Sequence, residues 1–204
     1  MMPGLIAESV KADRLIPSDD ITKQRLLADV IRPCQTCRDC DLSGGVHPIP
    51  TLGSKAAFMV VADCPNWSEE NEGKMMKGKA SNYMRAAMKG ADLKLSQGYF
   101  TSLVKSPKSG KVLGKKEIKN CAKWLDMEIE LLRPPIIITL GSSATRHFLP
   151  GLKGGAMAHT GRAIYDKDLD ATILVGFNPA MISFNPSKQA ELDDLMRKVA
   201  TIME

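Results

Sequence analysis

The sequence predicts an α/β fold, a three-layer α/β/α sandwich with a central parallel sheet of about four strands. Short apolar segments alternate along the chain with segments of helical periodicity, which is typical of a parallel sheet covered by helices on both faces. The apolar segments are continuous rather than alternating in polarity, as expected for strands buried on both sides. At 204 residues, the chain is expected to form a single domain over residues 1–204.

The predicted elements follow from periodicity and from the residues that end helices and strands. Asp19 and Asp20 precede an amphipathic helix that Pro33 ends, so residues 1–32 form a helical lead-in. Residues 33–53 are rich in glycine, proline and cysteine and are expected to be a loop. The predicted strands are residues 56–63, 99–105, 136–141 and 171–177, and the predicted helices are residues 79–89, residues 115–132, a helix from Ser142 and residues 187–203.

In sheets of this kind, ligands bind beyond the carboxyl ends of the strands. Any site is therefore expected to be built by the loops that follow the four predicted strands. These loops are Asp63-Cys64-Pro65-Asn66, Lys105-Ser106-Pro107, Gly141-Ser142-Ser143 and Asn178-Pro179.

Composition and charge limit the class of protein. The chain lacks an apolar run long enough to cross a membrane, and its first residues lack the features of a signal peptide. We therefore expect a cytoplasmic protein with no membrane partner. The net charge of +5 and the pI of about 8.9 are compatible with a polyanionic partner.

Lysines are concentrated in residues 105–119, where only Glu117 offsets them. The charge alone fits a solvated loop and helix start as well as it fits a surface that contacts phosphates. The lysines of this segment are Lys105, Lys108, Lys111, Lys115, Lys116 and Lys119.

Three cysteines, Cys34, Cys37 and Cys40, are each separated by two residues. Inside a cell this spacing favours metal ligation over disulfides, although unliganded thiols remain an alternative. Cys121 provides a remote fourth thiolate, and an iron–sulfur cluster or a structural zinc accepts such a set. Cys64 follows the first strand and is expected to line a site or to be buried.

Eight short motifs between residues 37 and 198 occur in an order and spacing that resemble one known family. The motifs are Cys37 and Cys40 followed by Asp41-Leu42, residues 62–66 followed by Glu69-Glu70, residues 73–78, residues 102–107, Cys121 before Trp124-Leu125, Leu140-Gly141, Gly161-Arg162 and Asn178-Pro179. Together they resemble the iron–sulfur uracil-DNA glycosylases, the thermophile-type family 4 of the uracil-DNA glycosylase superfamily.

The resemblance implies a 4Fe–4S cluster, with one change in its ligands. The third ligand of that family falls on Ser106, which cannot supply a thiolate. We expect Cys34 to replace it, so that Cys34, Cys37, Cys40 and Cys121 hold the cluster. Structural zinc stays the alternative for the same four ligands.

The resemblance also implies a base-binding pocket, and here the chain departs from the family. Asp63 takes the place of a catalytic glutamate, and Asn178 that of a histidine which stabilises charge on the departing base. Met76 replaces the aromatic residue that stacks on the base, and Ser102 the asparagine that reads uracil. Cys64, Pro65 and Asn66 complete the expected pocket. These replacements argue against an efficient, strict uracil glycosylase.

Further residues are implied as DNA contacts. The helix start at Ser142 and Ser143 can bind a phosphate or can simply be capped, and Arg162 follows a motif glycine. The loop Ala180-Met181-Ile182-Ser183-Phe184 falls where the family inserts a wedge into the minor groove, although its methionine and phenylalanine could equally pack against the core. The resemblance also favours a DNA-contact role for the lysines of residues 105–119.

The sequence therefore predicts a monomeric, DNA-binding, glycosylase-like iron–sulfur protein that hydrolyses the N-glycosidic bond of an unusual, modified or deaminated base. One alternative is a catalytically inactive, glycosylase-fold accessory protein that binds DNA and works with replication or repair proteins. Another is a redox or sensing iron–sulfur protein.

Overall fold

The computed structural model describes residue 53, residues 56–106 and residues 113–204. Three groups of sequence predictions lie outside these residues. They are the N-terminal helix, the loop with Cys34, Cys37 and Cys40, and Lys108 and Lys111 of the basic segment.

Strands and helices alternate along the described part of the chain. Short 3₁₀ turns occur at Leu95–Gln97, Ala156–His159 and Pro179–Ser183. The elements are β1 (Phe58–Ala62), α1 (Trp67–Glu72), α2 (Gly78–Gly90), β2 (Gly98–Ser102), α3 (Lys115–Leu132), β3 (Ile136–Leu140), α4 (Ser142–Phe148), β4 (Ala163–Asp166), β5 (Ala171–Gly176) and α5 (Lys188–Met203).

The strands form one sheet in the order β2-β1-β3-β5-β4. The first four of these are parallel, and β4 runs antiparallel to β5 at one edge. Ala62 pairs with both Ser102 and Leu140, and Leu140 pairs with Gly176. This register brings the carboxyl ends of all four parallel strands to one edge of the sheet, so the prediction of a parallel α/β sheet is confirmed.

Each face of the sheet has its own hydrophobic core. Alternate strand residues such as Val60 and Phe100 pack with residues of α2 and α5, because successive side chains of a strand point to opposite faces. Their neighbours, such as Val61 and Tyr99, pack on the other face with residues of α3 and α4. These layers form the predicted α/β/α sandwich.

Two elements differ from the sequence prediction. Residues 67–72 were not predicted to be helical, yet they form α1, which is only six residues long. The edge strand β4 was not predicted, because its sequence AIYD is only partly buried and lacks a continuous apolar run. None of the helices in the described ranges has the length and apolarity needed to cross a lipid bilayer.

Candidate functional site

A cavity lies at the carboxyl edge of the parallel strands, where the sequence predicts the site. Cys64 and Asn66 line it from the loop after β1, Met76 from the loop before α2, and Asn178 from the segment after β5. The structure thus brings together four of the predicted pocket residues from three separate segments. Pro65 is buried and lies outside the cavity lining.

The cavity is small, at about 60 Å³. This is the space of about two water molecules, whereas pockets that hold small ligands span ~300 Å³ or more. Met75, Met76 and Met84, which we call the methionine cluster, line the cavity together with Phe100, and all four side chains are buried. The cavity as it stands is therefore too small for a nucleobase.

Met76 has an unusual backbone conformation, with φ of 61°. A non-glycine residue in the left-handed region costs on the order of 1–2 kcal/mol, so the surrounding structure must hold it. The Met76 N–H donates to Glu69 Oε1 at 2.7 Å, and Arg85 Nη2 donates to the Met76 carbonyl at 2.6 Å. The loop that closes the cavity is therefore fixed from both α1 and α2.

Glu69 connects the two loops that line the cavity. Its Oε2 accepts from the Asn66 N–H at 2.9 Å, and Asn66 Oδ1 caps α1 in return. Burial raises the pKa of Glu69, and the N–H groups of Asn66 and Met76 act in the opposite direction. Glu69 was not predicted to be a site residue, although an asparagine three residues before a glutamate is the signature of a capping box.

Asp63 lies directly after β1 and contacts the start of α4. The Ala144 N–H donates to Asp63 Oδ1 at 2.7 Å. Burial raises the pKa of Asp63 above its ordinary value of 3.8, while hydrogen bonds from the Ala144 and Ser143 N–H groups and the charge of Arg146 oppose this shift. The carboxylate thus occupies the N–H groups of Ser143 and Ala144, at the helix start that was predicted to bind a phosphate.

Gly141 makes room for the Asp63 carboxylate. Its φ of 122° is one that residues with side chains rarely adopt, and a Cβ at this position would collide with the Asp63 carboxyl group. The glycine between β3 and α4 is therefore required both for its backbone conformation and for the close approach of Asp63.

Two other predicted pocket residues use their polar atoms locally. The Ser102 side chain is buried and donates from Oγ to the Val104 carbonyl at 3.0 Å, and it is not part of the cavity lining. Asn178 is exposed and accepts from the Ala180 N–H at 3.0 Å through Oδ1. Its Nδ2 group is the part of the side chain that can donate to a base.

The basic segment divides into buried and exposed lysines. Lys105 is only 2% exposed, and its Nζ lies 2.8 Å from Glu128 Oε2 on α3. The Thr101 hydroxyl is hydrogen-bonded to both side chains. Lys105 therefore belongs to a buried ion pair and is not available as the predicted DNA contact. Lys115 and Lys116 are exposed at the start of α3.

Other predicted DNA contacts lie near the same edge of the sheet. Arg162 is exposed, and its carbonyl accepts from the Val175 N–H near the end of β5. In the turn Pro179–Ser183, Met181 is partly exposed, whereas Ile182 is buried in the core. Ile182, one of the predicted DNA contacts, therefore packs against the protein and is not available to DNA.

Two exposed aromatic residues follow segments that line the cavity. Phe184 directly follows the turn Pro179–Ser183 and is 85% exposed, and Trp67 directly follows the cavity residue Asn66 and is 70% exposed. Phe184 belongs to the predicted wedge loop, and its exposure contradicts the alternative in which it packs against the core. Trp67 was not assigned a role, because hydrophobicity alone does not distinguish an exposed aromatic residue from a core residue.

Cys121 is buried in α3, on the face that packs against the sheet. One turn later, the Trp124 Nε1–H group is buried and has no hydrogen-bond partner in the described part of the chain. No group of three potential metal ligands occurs within residues 56–106 and 113–204. The other three cysteines of the predicted ligand set lie outside these ranges.

Comparison with known proteins agrees with this architecture. A family model described as the Uracil DNA glycosylase superfamily matches residues 50–200. The chain is 29% identical to a Type-4 uracil-DNA glycosylase of Saccharolobus solfataricus, over 85% of this chain and 83% of that protein. It is 22% identical to a Type-4 uracil-DNA glycosylase of Archaeoglobus fulgidus, over 86% of this chain and 92% of that protein.

A relative of a different kind is the DNA polymerase III subunit alpha of Yersinia pestis. It is 29% identical over 98% of this chain, and the match spans 17% of the length of the polymerase subunit. Because the family model covers well over half of the sequence, the chain belongs to the uracil DNA glycosylase superfamily.

Proposed function

We propose that this protein binds DNA and hydrolyses the N-glycosidic bond of an unusual, modified or deaminated base. The observation that supports this most is the convergence of Cys64, Asn66, Met76 and Asn178 on one cavity at the carboxyl edge of the sheet. Asp63 lies at the same edge, directly after β1. A glycosylase needs a pocket and a carboxylate at one edge of the fold. The base must leave the DNA duplex and be held in the pocket, and the carboxylate can assist hydrolysis.

The chemistry available at this site is weaker than that of a strict uracil glycosylase. Asp63 can orient a water molecule or stabilise positive charge on the sugar. The departing base carries negative charge, and the Asn178 amide can donate a hydrogen bond to it but cannot offer a positive charge. Since the loss of one strong donor typically costs about a hundredfold in rate, we expect slow turnover.

DNA would approach the carboxyl edge of the sheet. Lys115 and Arg162 present exposed positive charge there, which suits phosphates. Phe184 is the most exposed apolar side chain of the turn after β5. Apolar side chains of this kind insert between base steps in many minor-groove complexes, so we assign the wedge to Phe184 rather than to Ile182.

We also infer that Cys34, Cys37, Cys40 and Cys121 hold a 4Fe–4S cluster. What supports the fit is the buried Cys121 on α3, one turn before a buried N–H group that needs an acceptor. When bound, the cluster would connect the N-terminal loop to α3 and order the basic helix start. Iron, sulfide and zinc analysis distinguishes this cofactor from a structural zinc.

The glycosylase proposal is tested with a panel of oligonucleotides, each with one deaminated or modified base. Abasic sites are detected by strand cleavage in alkali. We expect abasic sites for at least one base, lost in the Asp63→Ala variant and kept in an Asp168→Ala control, since Asp168 is exposed near the opposite edge of the sheet. Thermal unfolding shows whether each variant is folded. Abasic sites that persist in folded Asp63→Ala protein would overturn the proposal.

A second function is favoured by one specific comparison. The similarity to the DNA polymerase III subunit covers nearly the whole chain, so a domain of this kind occurs within a replicative polymerase subunit. This supports an accessory protein that binds DNA during replication without excising a base. Such a protein would show salt-sensitive affinity for DNA and no base release from any member of the panel.

A further inference from the structure

We propose that the indole N–H of Trp124 donates a hydrogen bond to a sulfur atom of the iron–sulfur cluster and raises the reduction potential of that cluster. The inference rests on the proposed ligation of the cluster by Cys121 and the three N-terminal cysteines. It assigns a role to a residue that the catalytic proposal does not use.

The indole nitrogen of Trp124 is a buried polar atom without a hydrogen-bond partner among the described residues. Trp124 is only 8% exposed, and its Nε1 is the one buried side-chain nitrogen or oxygen without a hydrogen bond among the described residues. Buried polar groups of native proteins are nearly always hydrogen-bonded, and an exception requires an explanation such as an unseen ion or ligand. An acceptor beside Trp124 is therefore expected.

The position of Trp124 on α3 indicates where this acceptor lies. Residues three apart on a helix are neighbours on one face, so Trp124 and Cys121 share a face of α3. Long side chains of a helix lean over the preceding turn, which places the indole toward the turn of Cys121. Lys123 Nζ lies 5.1 Å from the centre of the Trp124 ring, so a cation covers the ring while its N–H edge is buried.

A metal-bound sulfur suits this N–H group. The indole nitrogen is only a donor, so Trp124 cannot itself ligate a metal. Sulfur atoms of an iron–sulfur cluster carry negative charge and accept hydrogen bonds, and these bonds help to set the reduction potential. Reduction adds negative charge to the sulfurs, so a donated hydrogen bond stabilises the reduced form and raises the potential.

The chain offers a matched control, because it contains only two tryptophans and Trp67 is 70% exposed on α1. The protein is produced with tryptophan labelled with ¹⁵N in the indole, and the reduced cluster is studied by electron–nuclear double resonance. We expect a ¹⁵N coupling in the wild type and in Trp67→Phe, in which Trp124 is the remaining label. In Trp124→Phe the coupling should disappear and the potential should become more negative, with the iron content unchanged.

The Trp67→Phe arm needs no change at Trp124, so it is decisive even if Trp124→Phe does not fold. A cluster-loaded Trp67→Phe protein without ¹⁵N coupling would overturn the inference while leaving the cluster proposal intact. An unchanged potential in cluster-loaded Trp124→Phe would overturn it as well. Zinc in place of iron in the wild-type protein would overturn the cofactor proposal and this inference together.

Discussion

The Asp63 carboxylate is hydrogen-bonded to the start of α4, and the same carboxylate is proposed to act in base excision. Because it accepts from the start of α4, it is held at the carboxyl edge of the sheet, although it is not among the residues that line the cavity. The same hydrogen bonds reduce its freedom to bind a water molecule or a sugar.

The raised pKa of Asp63 predicts a pH-dependent difference in stability between the wild type and Asp63→Asn. A raised pKa means that the folded protein holds the proton more tightly than the unfolded chain. The resulting stabilisation is complete below 3.8 and is lost as the pH rises through the folded pKa. The variant lacks this titration, so its stability relative to the wild type should improve as the pH rises through that window.

Urea unfolding of the two proteins at a series of pH values measures this difference. Other titrating groups, Glu69 included, cancel because both proteins contain them. A stability difference that stays constant across the acidic range would show that burial does not perturb Asp63 in this way.

The backbone of Met76 makes a second prediction at the residue scale. Because φ at Met76 is 61°, Met76→Gly should be more stable than Met76→Ala by about 1 kcal/mol, although both lose the same buried contacts. At Met84, inside α2, the order should be reversed, since glycine is about 1 kcal/mol worse than alanine in a helix. Chemical denaturation measures the free energy of unfolding of the four variants. If the alanine variant is more stable than the glycine variant at Met76 as well as at Met84, the φ described for Met76 is contradicted.

Among the elements, α3 contains residues of several predicted roles. It begins with exposed lysines, contains Cys121 and Trp124, and buries Glu128 against Lys105. The buried ion pair links α3 to the segment that follows β2. A buried ion pair typically adds little to the free energy of unfolding compared with well-packed apolar residues of the same volume. Removal of one partner, however, leaves an uncompensated buried charge.

Glu128→Ala is therefore expected to reduce the free energy of unfolding by about 3–5 kcal/mol. The exposed Glu130 on the same helix is the matched control, and Glu130→Ala should change stability by less than about 0.5 kcal/mol. Guanidinium denaturation provides both values. Equal effects of the two substitutions would show that the Lys105–Glu128 pair is not buried as described.

Much of the fold could be predicted because its central strands are continuous apolar runs between helices with clear ends. The predicted bounds of α3, residues 115–132, agree with the structure. Strand β4 and helix α1 were missed because they are short and largely exposed, so burial leaves little pattern in their sequences. The N-terminal helix and the cysteine loop stay predictions.

The site was predictable to the extent that it depends on strand ends. The carboxyl-edge rule located Asp63, Cys64, Asn66 and Asn178, but it could not show that Ser102 turns inward. The burial of Lys105 was not predictable from charge, because a lysine in a basic segment has the same sequence signature whether it is paired or exposed. Tertiary contacts with Glu128, 23 residues away, decide its position.

For the molecule as a whole, the carboxyl edge of the sheet combines the cavity, exposed positive charge and exposed aromatic residues. Phe184→Ala should weaken DNA binding by about tenfold or more, since aromatic contacts with bases are worth about 1–3 kcal/mol each. Tyr165→Ala is the matched control, because Tyr165 is also exposed but pairs with Thr172 near the opposite edge of the sheet.

Fluorescence anisotropy with a labelled duplex measures both affinities at one salt concentration. Both variants should unfold at nearly the wild-type temperature, because neither side chain belongs to a core. Equal affinities of Phe184→Ala and wild-type protein would remove Phe184 from the DNA-binding surface.

The most direct test of the proposed base excision is the single-turnover rate on an oligonucleotide that contains a substrate base found in the panel. We predict measurable release of that base by the wild type and a decrease of about a hundredfold or more in Asp63→Asn, with the variant still folded and bound to DNA. An unchanged rate in Asp63→Asn, or no release of any base by the wild-type protein, would contradict the assignment of this site as a glycosylase.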